Sequence, residues 1–353
     1  MAPRAHPGAD RAGQGQCHPA ARGRAPAPRA RGHRADRTLH RGGPVTSLRH
    51  GQQGVALITA LVVVAIATIA ATWLLTSLQQ DIRRSASVLQ QEQAWQYALG
   101  AEAWASRRLE EDARESKYDG LTEEWATELP PLPVEGGSIS GRLLDLQGRF
   151  NLNSLLTRDG KYDSQAQSRL RRLLEIEDLP PDLTLAILDW IDADNEPAGP
   201  GGAEDSAYLA LDPPYLAANR PMVVPSELRL VKGIDTQAWK KLEPLVSALP
   251  ESTPINVNTA PAEVLASLGM SLSQAEGLAS ALHESPAERI EDFLLYPEVQ
   301  EARIGQQGLS VSSHWFRLEV QVEIGQIRLD YRALLHRDEQ GRVRTIFRST
   351  GTT

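Results

Sequence analysis

Gln52-Gln53-Gly54-Val55-Ala56-Leu57-Ile58-Thr59 opens a stretch in which every residue from Val55 to Leu78 is uncharged. At 1.5 Å per residue this run makes a helix of about 36 Å, enough to cross a hydrocarbon core of about 30 Å. A cleaved secretory signal carries its small-residue cut site after a shorter apolar region. Here the glycine comes first, so processing at Gly54 keeps the helix. The stretch reads as a membrane anchor beginning at Val55.

Charge divides on either side of it. Residues 1–54 hold ten Arg, no Lys and two Asp, about +8; the whole chain is −8, so the remainder carries about −16. Positive residues beside a membrane helix stay on the cytoplasmic side. Everything after Leu78 is therefore expected across the membrane, in the periplasm of a bacterium with two membranes, on a single-pass inner-membrane anchor. Residues 1–44 are Arg, Ala, Pro, Gly and His without apolar periodicity. They are read either as an unstructured basic tail or as lying upstream of a natural start at Val45. Cys17 is the one cysteine and sits in that leader, so the exported body has no disulfide.

Beyond the anchor no proline interrupts the chain until Pro130, and Ala94, Ala98, Ala101, Ala105 and Leu109 recur at helical spacing. One helix to about Leu109 is expected, with a small-residue face that packs closely on its own domain. Pro130-Pro131-Leu132-Pro133 and Gly136-Gly137 read as a loop. Ser138 to Leu146 then alternates as a strand. The next convincing strands are Trp315 to Ile324, Gln326 to His336 and Val343 to Arg348. Leu318, Val320, Val322 and Ile324 alternate with Arg317, Glu319, Gln321 and Glu323, the pattern of a half-buried antiparallel strand.

A lone strand before residue 150 most cheaply joins that distant sheet. The expected organisation is a leader (1–54), a transmembrane helix (55–78), one α+β domain (79–154 and 311–353) and an inserted all-α domain (155–310). Within the insertion, Ser164 to Glu175, Pro181 to Asp192, Pro225 to Lys232, Thr236 to Leu249, Ala260 to Leu268 and Ser271 to His283 carry helical spacing or caps.

Asp189-Trp190-Ile191-Asp192-Ala193-Asp194-Asn195-Glu196-Pro197, with Glu204-Asp205 beyond a Gly-Pro-rich turn, gathers hard oxygen ligands in a loop. Calcium takes six to eight oxygens in irregular geometry, which such a loop can supply. An EF-hand is excluded: counting from Asp192, its sixth place is Pro197 and its twelfth Ala203. A solvated acidic loop is the alternative. Ser226 to Ile234 and Ile255 to Gly269 read as halves of helix-hairpin-helix modules, with only Lys232, Lys240 and Lys241 nearby, too few for a phosphate-binding patch. They are taken as structural, with no nucleic acid expected. No Gly-x-Ser-x-Gly, His-Glu-x-x-His or phosphate loop occurs, and His283, His314 and His336 are scattered, so an enzyme is not expected.

Gly54 before a charge-free helix resembles the prepilin peptidase site of type IV pilin-like proteins. Taken with Asn151-Leu152-Asn153-Ser154-Leu155, Asp189 to Pro197, Pro225-Ser226-Glu227-Leu228 and Ile255-Asn256-Val257-Asn258-Thr259-Ala260-Pro261, the chain from Gly51 onward resembles the K-type minor pseudopilins of type II secretion systems. The resemblance implies a pilin-like α+β fold, with a long N-terminal transmembrane helix packed on an antiparallel sheet. It also implies a large all-α insertion of helix-hairpin-helix or SAM-like kind. Calcium is implied near the acidic segment, among Asp192, Asp194, Asn195, Glu196, Glu204 and Asp205.

The same resemblance implies cleavage after Gly54 by the prepilin peptidase and N-methylation of Val55, although Phe is the usual first mature residue. At the fifth mature position most pilin-like subunits carry a Glu that neutralises a neighbour's terminal amine; here Thr59 stands, as in the K-type family. A buried charge without a partner is costly, which fits a subunit at the filament tip. The implied function is capping a periplasmic pseudopilus and promoting its assembly for protein export across the outer membrane. The implied partners are the I-type and J-type minor pseudopilins, the inner membrane and the inner-membrane assembly platform. A membrane-anchored DNA-binding protein of an uptake apparatus is the alternative.

Overall fold

A computed structural model describes residues 53–351. The leader, residues 1–44, and the start expected at Val45 lie outside the described residues. The chain divides into two units, residues 1–70 and 71–353. The described part of the first is helical, and every side chain from Val55 to Ala70 is exposed. It belongs to α1 (Gln53–Glu115), which ends a little beyond the expected Leu109. Among the described residues this is the one helix long and apolar enough to cross a membrane, with a mean hydropathy of 2.6 over its most apolar window.

In the second unit the order after α1 is β1 (Leu129–Val134), β2 (Gly137–Asp145), β3 (Phe150–Asn151), α2 (Ser164–Ile176), α3 (Leu183–Ile191), α4 (Asp205–Tyr208) and α5 (Thr236–Leu242). Then come β4 (Val246–Ser247), β5 (Ile255–Asn256), α6 (Ala262–Ala266), α7 (Leu272–Glu284), α8 (Ile290–Leu294) and α9 (Pro297–Glu301). β6 (Leu309–Ser310), β7 (Trp315–Ile324), β8 (Ile327–Arg337) and β9 (Val343–Thr350) close the chain.

The main sheet is antiparallel, in the order β1-β2-β7-β8-β9. The early strand does join the distant ones: β2 pairs β7 from Gly137↔Ile324 to Asp145↔Phe316, and Leu146 N–H donates to Trp315 O at 3.0 Å. Period-two alternation puts Phe316, Leu318, Val320, Val322 and Ile324 on one face. They pack with Ala94, Ala98, Ala105 and Leu109 of α1, all fully buried, and with the partly buried Ala101. Small alanines let the helix axis approach the sheet, and each buried Val, Leu or Phe contributes roughly 1.5–3 kcal/mol.

The Pro130–Pro133 segment, expected as a loop, is instead the edge strand β1, bulged between Leu129 and Leu132. Proline lacks an N–H, which is harmless on an edge whose outer side takes no strand among the described residues.

The segment between β2 and β7 is mostly helical but not all-α. β3 pairs β4 and β5 pairs β6, each a two-residue parallel ladder. Thr236 to Leu249 is helical only to Leu242, because Val246 and Ser247 are drawn into the ladder with Phe150 and Asn151. Pro225–Leu230 is a 3₁₀ turn rather than an α-helix. Phe150, Leu152 and Leu155 pack in the core of this helical lobe with Leu170, Ile187 and Val246, so the lobe begins just after Asp145 rather than at residue 155. A buried polar cluster ties the lobe to the sheet. Asp145 Oδ2 accepts from Asn256 Nδ2 (2.9 Å), Thr259 Oγ1 (2.6 Å) and Ser313 Oγ (2.6 Å), while Asn256 Nδ2 also donates to Asp119 O (3.0 Å).

Candidate functional site

α3 is apolar apart from Thr184 and Asp189, and its last turn buries Asp189 beside Trp190. Trp190 stands edge-on to Tyr208 of α4 at 5.2 Å, which fixes the two helices at either end of the acidic loop. Asp189 folds that loop back. Its Oδ1 accepts from Ala198 N–H (2.9 Å) and its Oδ2 from Ala203 N–H (2.7 Å). Gly202 runs so close that a Cβ there would lie 2.2 Å from Asp189 Oδ2.

The fold thereby brings Asp189, Asp192 and Glu204 together, with one carboxylate oxygen of each lying within 4.8 Å of the others. All three residues are buried. Asp192 Oδ2 accepts from the Tyr162 hydroxyl at 2.8 Å, but among the described residues its Oδ1 has no partner, and neither oxygen of Glu204 has one. Burial pushes the Glu204 carboxyl up to about 7, and the neighbouring charges that add to the rise, Asp189, Asp192, Asp194 and Asp205, are all acidic. Burial raises Asp189 and Asp192 as well. Three buried, mutually repelling carboxylates, two of them (Asp192 and Glu204) with unpaired oxygens, form an arrangement a protein cannot hold cheaply without a cation or protons. The donor set suits calcium: all ligands are oxygen, and two ligands on opposite sides of an ion at about 2.4 Å are about 4.8 Å apart.

Of the residues expected from the sequence, Asp192 and Glu204 converge. Asp194, Asn195 and Glu196 are exposed, and Asp194 caps its own turn by accepting from Glu196 N–H at 2.9 Å. Asn195 and Asp205 bond each other, Asp205 N–H reaching Asn195 Oδ1 at 3.3 Å, and Asp205 Oδ1 accepts from Ala217 N–H at 3.0 Å. Asp189 was absent from the expected set, although a buried acid at the end of an apolar helix is itself a signal. Tyr162, thirty residues upstream of Asp192, carries no local signal at all.

A second acidic group, Asp112, Asp119 and Glu123, is of a different kind. There Arg337 already supplies the cation, donating from Nη1 to Asp112 at 2.8 Å and from Nη2 to Asp119 at 2.5 Å.

At the other end of the chain, the Gly54–Val55 bond lies just inside the N-terminus of α1. Thr59 Oγ1 donates to Val55 O and Ala56 O, both 3.0 Å away, so its hydroxyl is satisfied within its own helix. The helix-hairpin-helix expectation meets mixed structure: Gly233 (φ +88°) joins the 3₁₀ turn to α5, whereas the second stretch starts as strand β5 before α6, Gly269 (φ +129°) and α7.

Residues 148–251 and 255–312 match two family models, both described as type II secretion system protein K. The type II secretion system protein K of Pseudomonas aeruginosa is 38% identical over 316 residues, covering 86% of this chain and 94% of that one. The chain belongs to the type II secretion system protein K family. The Pectobacterium carotovorum member is 34% identical over 327 residues, 86% of this chain and 98% of its own. Among solved structures, the GspK–GspI–GspJ complex of enterotoxigenic Escherichia coli matches with a TM-score of 0.67 and 28% identity, over 76% of this chain and all of that one. The chain is thus a K-type minor pseudopilin with an apolar N-terminal helix and an antiparallel sheet. The break between the two family models falls between the two parallel ladders, after β4 and just as β5 begins.

Proposed function

We propose that this K-type pseudopilin caps the tip of the periplasmic pseudopilus and promotes its assembly for protein export across the outer membrane. The supporting observation is the helical lobe, residues 146–314, set between two adjacent strands at one end of the sheet. Bulk of that size leaves no room for another subunit to stack there. Thr59 agrees: a hydroxyl satisfied by its own helix needs no partner in lipid, unlike a carboxylate. The partners are the I-type and J-type minor pseudopilins, as in the complex formed by the E. coli relative. The prepilin peptidase cleaves after Gly54, Val55 is N-methylated, the anchor sits in the inner membrane beside the assembly platform, and the body lies in the periplasm.

The role is structural, with no catalytic step and no nucleic acid. Asp189, Asp192 and Glu204 would hold a calcium ion, which supplies the positive charge that lets three buried carboxylates close the loop. Asp194, Asn195, Glu196 and Asp205 shape the rim of that site.

The test is co-purification of the full-length protein from detergent extracts with the I-type and J-type pseudopilins, beside filament assembly in a deletion strain. Retention of both partners with loss of filaments is expected. Filaments of normal number in the deletion strain would overturn the tip role. Gly54→Ala should leave the precursor uncut by the peptidase, seen as an unchanged larger band.

A further inference from the structure

The sheet face turned away from α1 carries a concentration of arginine in a body that is otherwise strongly acidic. Glu319 on β7 lies opposite Arg142 on β2 and Arg332 on β8. It pairs with Arg142 at 2.9 Å, with Arg317 at 3.0 Å and with Arg332 at 3.8 Å. A single carboxylate therefore serves three guanidinium groups. A fourth, Arg149, comes in from the turn after β2 and spends one donor on Glu243 O at 3.1 Å. Arg317 Nε is buried and makes no hydrogen bond among the described residues, despite its closeness to Glu319. Burial pulls Arg149 down to about 10, and Arg317 and Arg142 add to the fall, as crowded like charges must. Leaving Arg332 aside, Arg142, Arg149 and Arg317 face two carboxylates, Glu319 and Glu243, and keep an excess of one positive charge.

Arg149, Arg317 and Arg332 open into a cleft of about 130 Å³ between the sheet and the helical lobe. Its other wall is apolar, with Val223 and Trp239 from the lobe and Leu334 and Phe347 from the sheet. Val223 and Phe347 are largely exposed. An enclosed cavity of about 150 Å³ admits a whole benzene ring; this cleft, somewhat smaller but open to solvent, takes a branched side chain or one edge of an aromatic ring. Arginine takes a carboxylate with two parallel hydrogen bonds.

We propose that this cleft docks an acidic segment of a partner protein that carries an aromatic residue beside its carboxylate. The carboxylate meets Arg149 and Arg317, and the ring lies against Val223, Trp239 and Phe347. Charge complementarity selects a short acidic peptide over a nucleic acid. The cations form one compact cluster with Glu319 at its centre, whereas a polyphosphate needs a continuous basic track and would be repelled by the surrounding body. This inference is independent of the tip position: it stands or falls on binding to the isolated full-length subunit.

The test uses full-length protein in detergent and fluorescence anisotropy of a fluorescein-labelled Asp-Glu-Phe-Asp-Glu peptide. Three probes compete with it: the amide peptide Asn-Gln-Phe-Asn-Gln, the peptide with Gly in place of Phe, and a twelve-nucleotide single strand. Saturable binding is expected, weakened about tenfold or more in the amide peptide and severalfold in the Gly peptide. Arg149→Gln should weaken it about tenfold at unchanged melting temperature. Phe347→Ser, on an exposed edge strand, gives a second variant that does not disturb the arginine cluster and should weaken binding severalfold. Arg158→Gln, at an exposed ion pair with Glu251, should leave it unchanged. No saturation at millimolar peptide, equal binding of the amide peptide, equal binding by Arg149→Gln, or tighter binding of the single strand would each overturn the proposal.

Discussion

Glu102 offers the sharpest test of how the long helix is held to the sheet. It sits on α1, 7% exposed, and its carboxylate gathers donors from two strands. Arg348 donates from Nε at 2.8 Å and from Nη2 at 2.7 Å, Thr345 Oγ1 at 2.7 Å, and the Tyr331 hydroxyl completes the set. Glu102→Ala leaves the fully buried Tyr331 hydroxyl without its acceptor, a loss of about 1–3 kcal/mol. The Arg348 side chain is 47% exposed and turns to water at little cost, while Thr345 loses a bond of about 1 kcal/mol. The expected destabilisation is about 2–4 kcal/mol, a fall in melting temperature on the order of 5–10 °C for a body of this size.

The pH dependence gives an independent check. Burial alone would raise the Glu102 carboxyl, but the bonds from Arg348, Tyr331 and Thr345 outweigh it and hold the group below its ordinary value. A depressed acid contributes stability that is fully present above the unfolded value of about 4.3 and is lost as pH falls through the lower folded value. Glu102→Gln should therefore fall well short of wild type at pH 7, and the gap should narrow as pH falls below the unfolded value. Guanidinium unfolding of the detergent-solubilised protein can be followed by circular dichroism and by fluorescence, to which Trp95 contributes, edge-on to Tyr331 at 5.5 Å. An unchanged midpoint for Glu102→Ala, or a Glu102→Gln deficit as large at pH 3 as at pH 7, would refute the reasoning.

Three further outcomes are expected. Chelation with EGTA should lower the melting temperature, since calcium at a hundredfold over its Kd contributes about 2.7 kcal/mol; Glu204→Gln should abolish the response in calorimetry, and a response that persists removes Glu204 from the site. Asn256→Ala, which strips three donated bonds from the buried cluster around Asp145, should destabilise the body by about 2–4 kcal/mol in the same unfolding assay. Thr59→Val should leave the membrane-inserted fraction unchanged on carbonate extraction, whereas Thr59→Glu introduces a charge costing up to about 3 kcal/mol in the bilayer and should reduce it.

Where the chain repeats a period, the sequence was legible. The uncharged run from Val55, the alanine face through Ala105 and the strict alternation of β7 are each long enough for the pattern to outweigh local accidents. The pairing of β2 with β7 was legible because no nearer strand showed in the sequence, although β1 in fact takes the other edge of β2. The elements that escaped are short or defined from a distance. β1 hides behind three prolines because only its edge position makes them tolerable. The ladders β3-β4 and β5-β6 hold two residues each, too few for any alternation to show. In the acidic loop, composition pointed to the region and the resemblance to six residues, of which Asp192 and Glu204 turn inward. Which other acid turns inward depends on Asp189 catching two backbone amides, a tertiary fact without a sequence period.

The meeting of β2 and β7 at Asp145↔Phe316 has a consequence for what such a subunit can carry. In connectivity the whole helical lobe is the loop of a β-hairpin, leaving and re-entering the sheet one strand spacing apart. Loop-closure cost grows only as the logarithm of length, so replacing a tight turn by a lobe of this size raises it by about 3 kcal/mol. On connectivity alone the sheet can therefore carry a head of this size at small cost, with the buried contacts around Asp145 left to set how firmly that head is held.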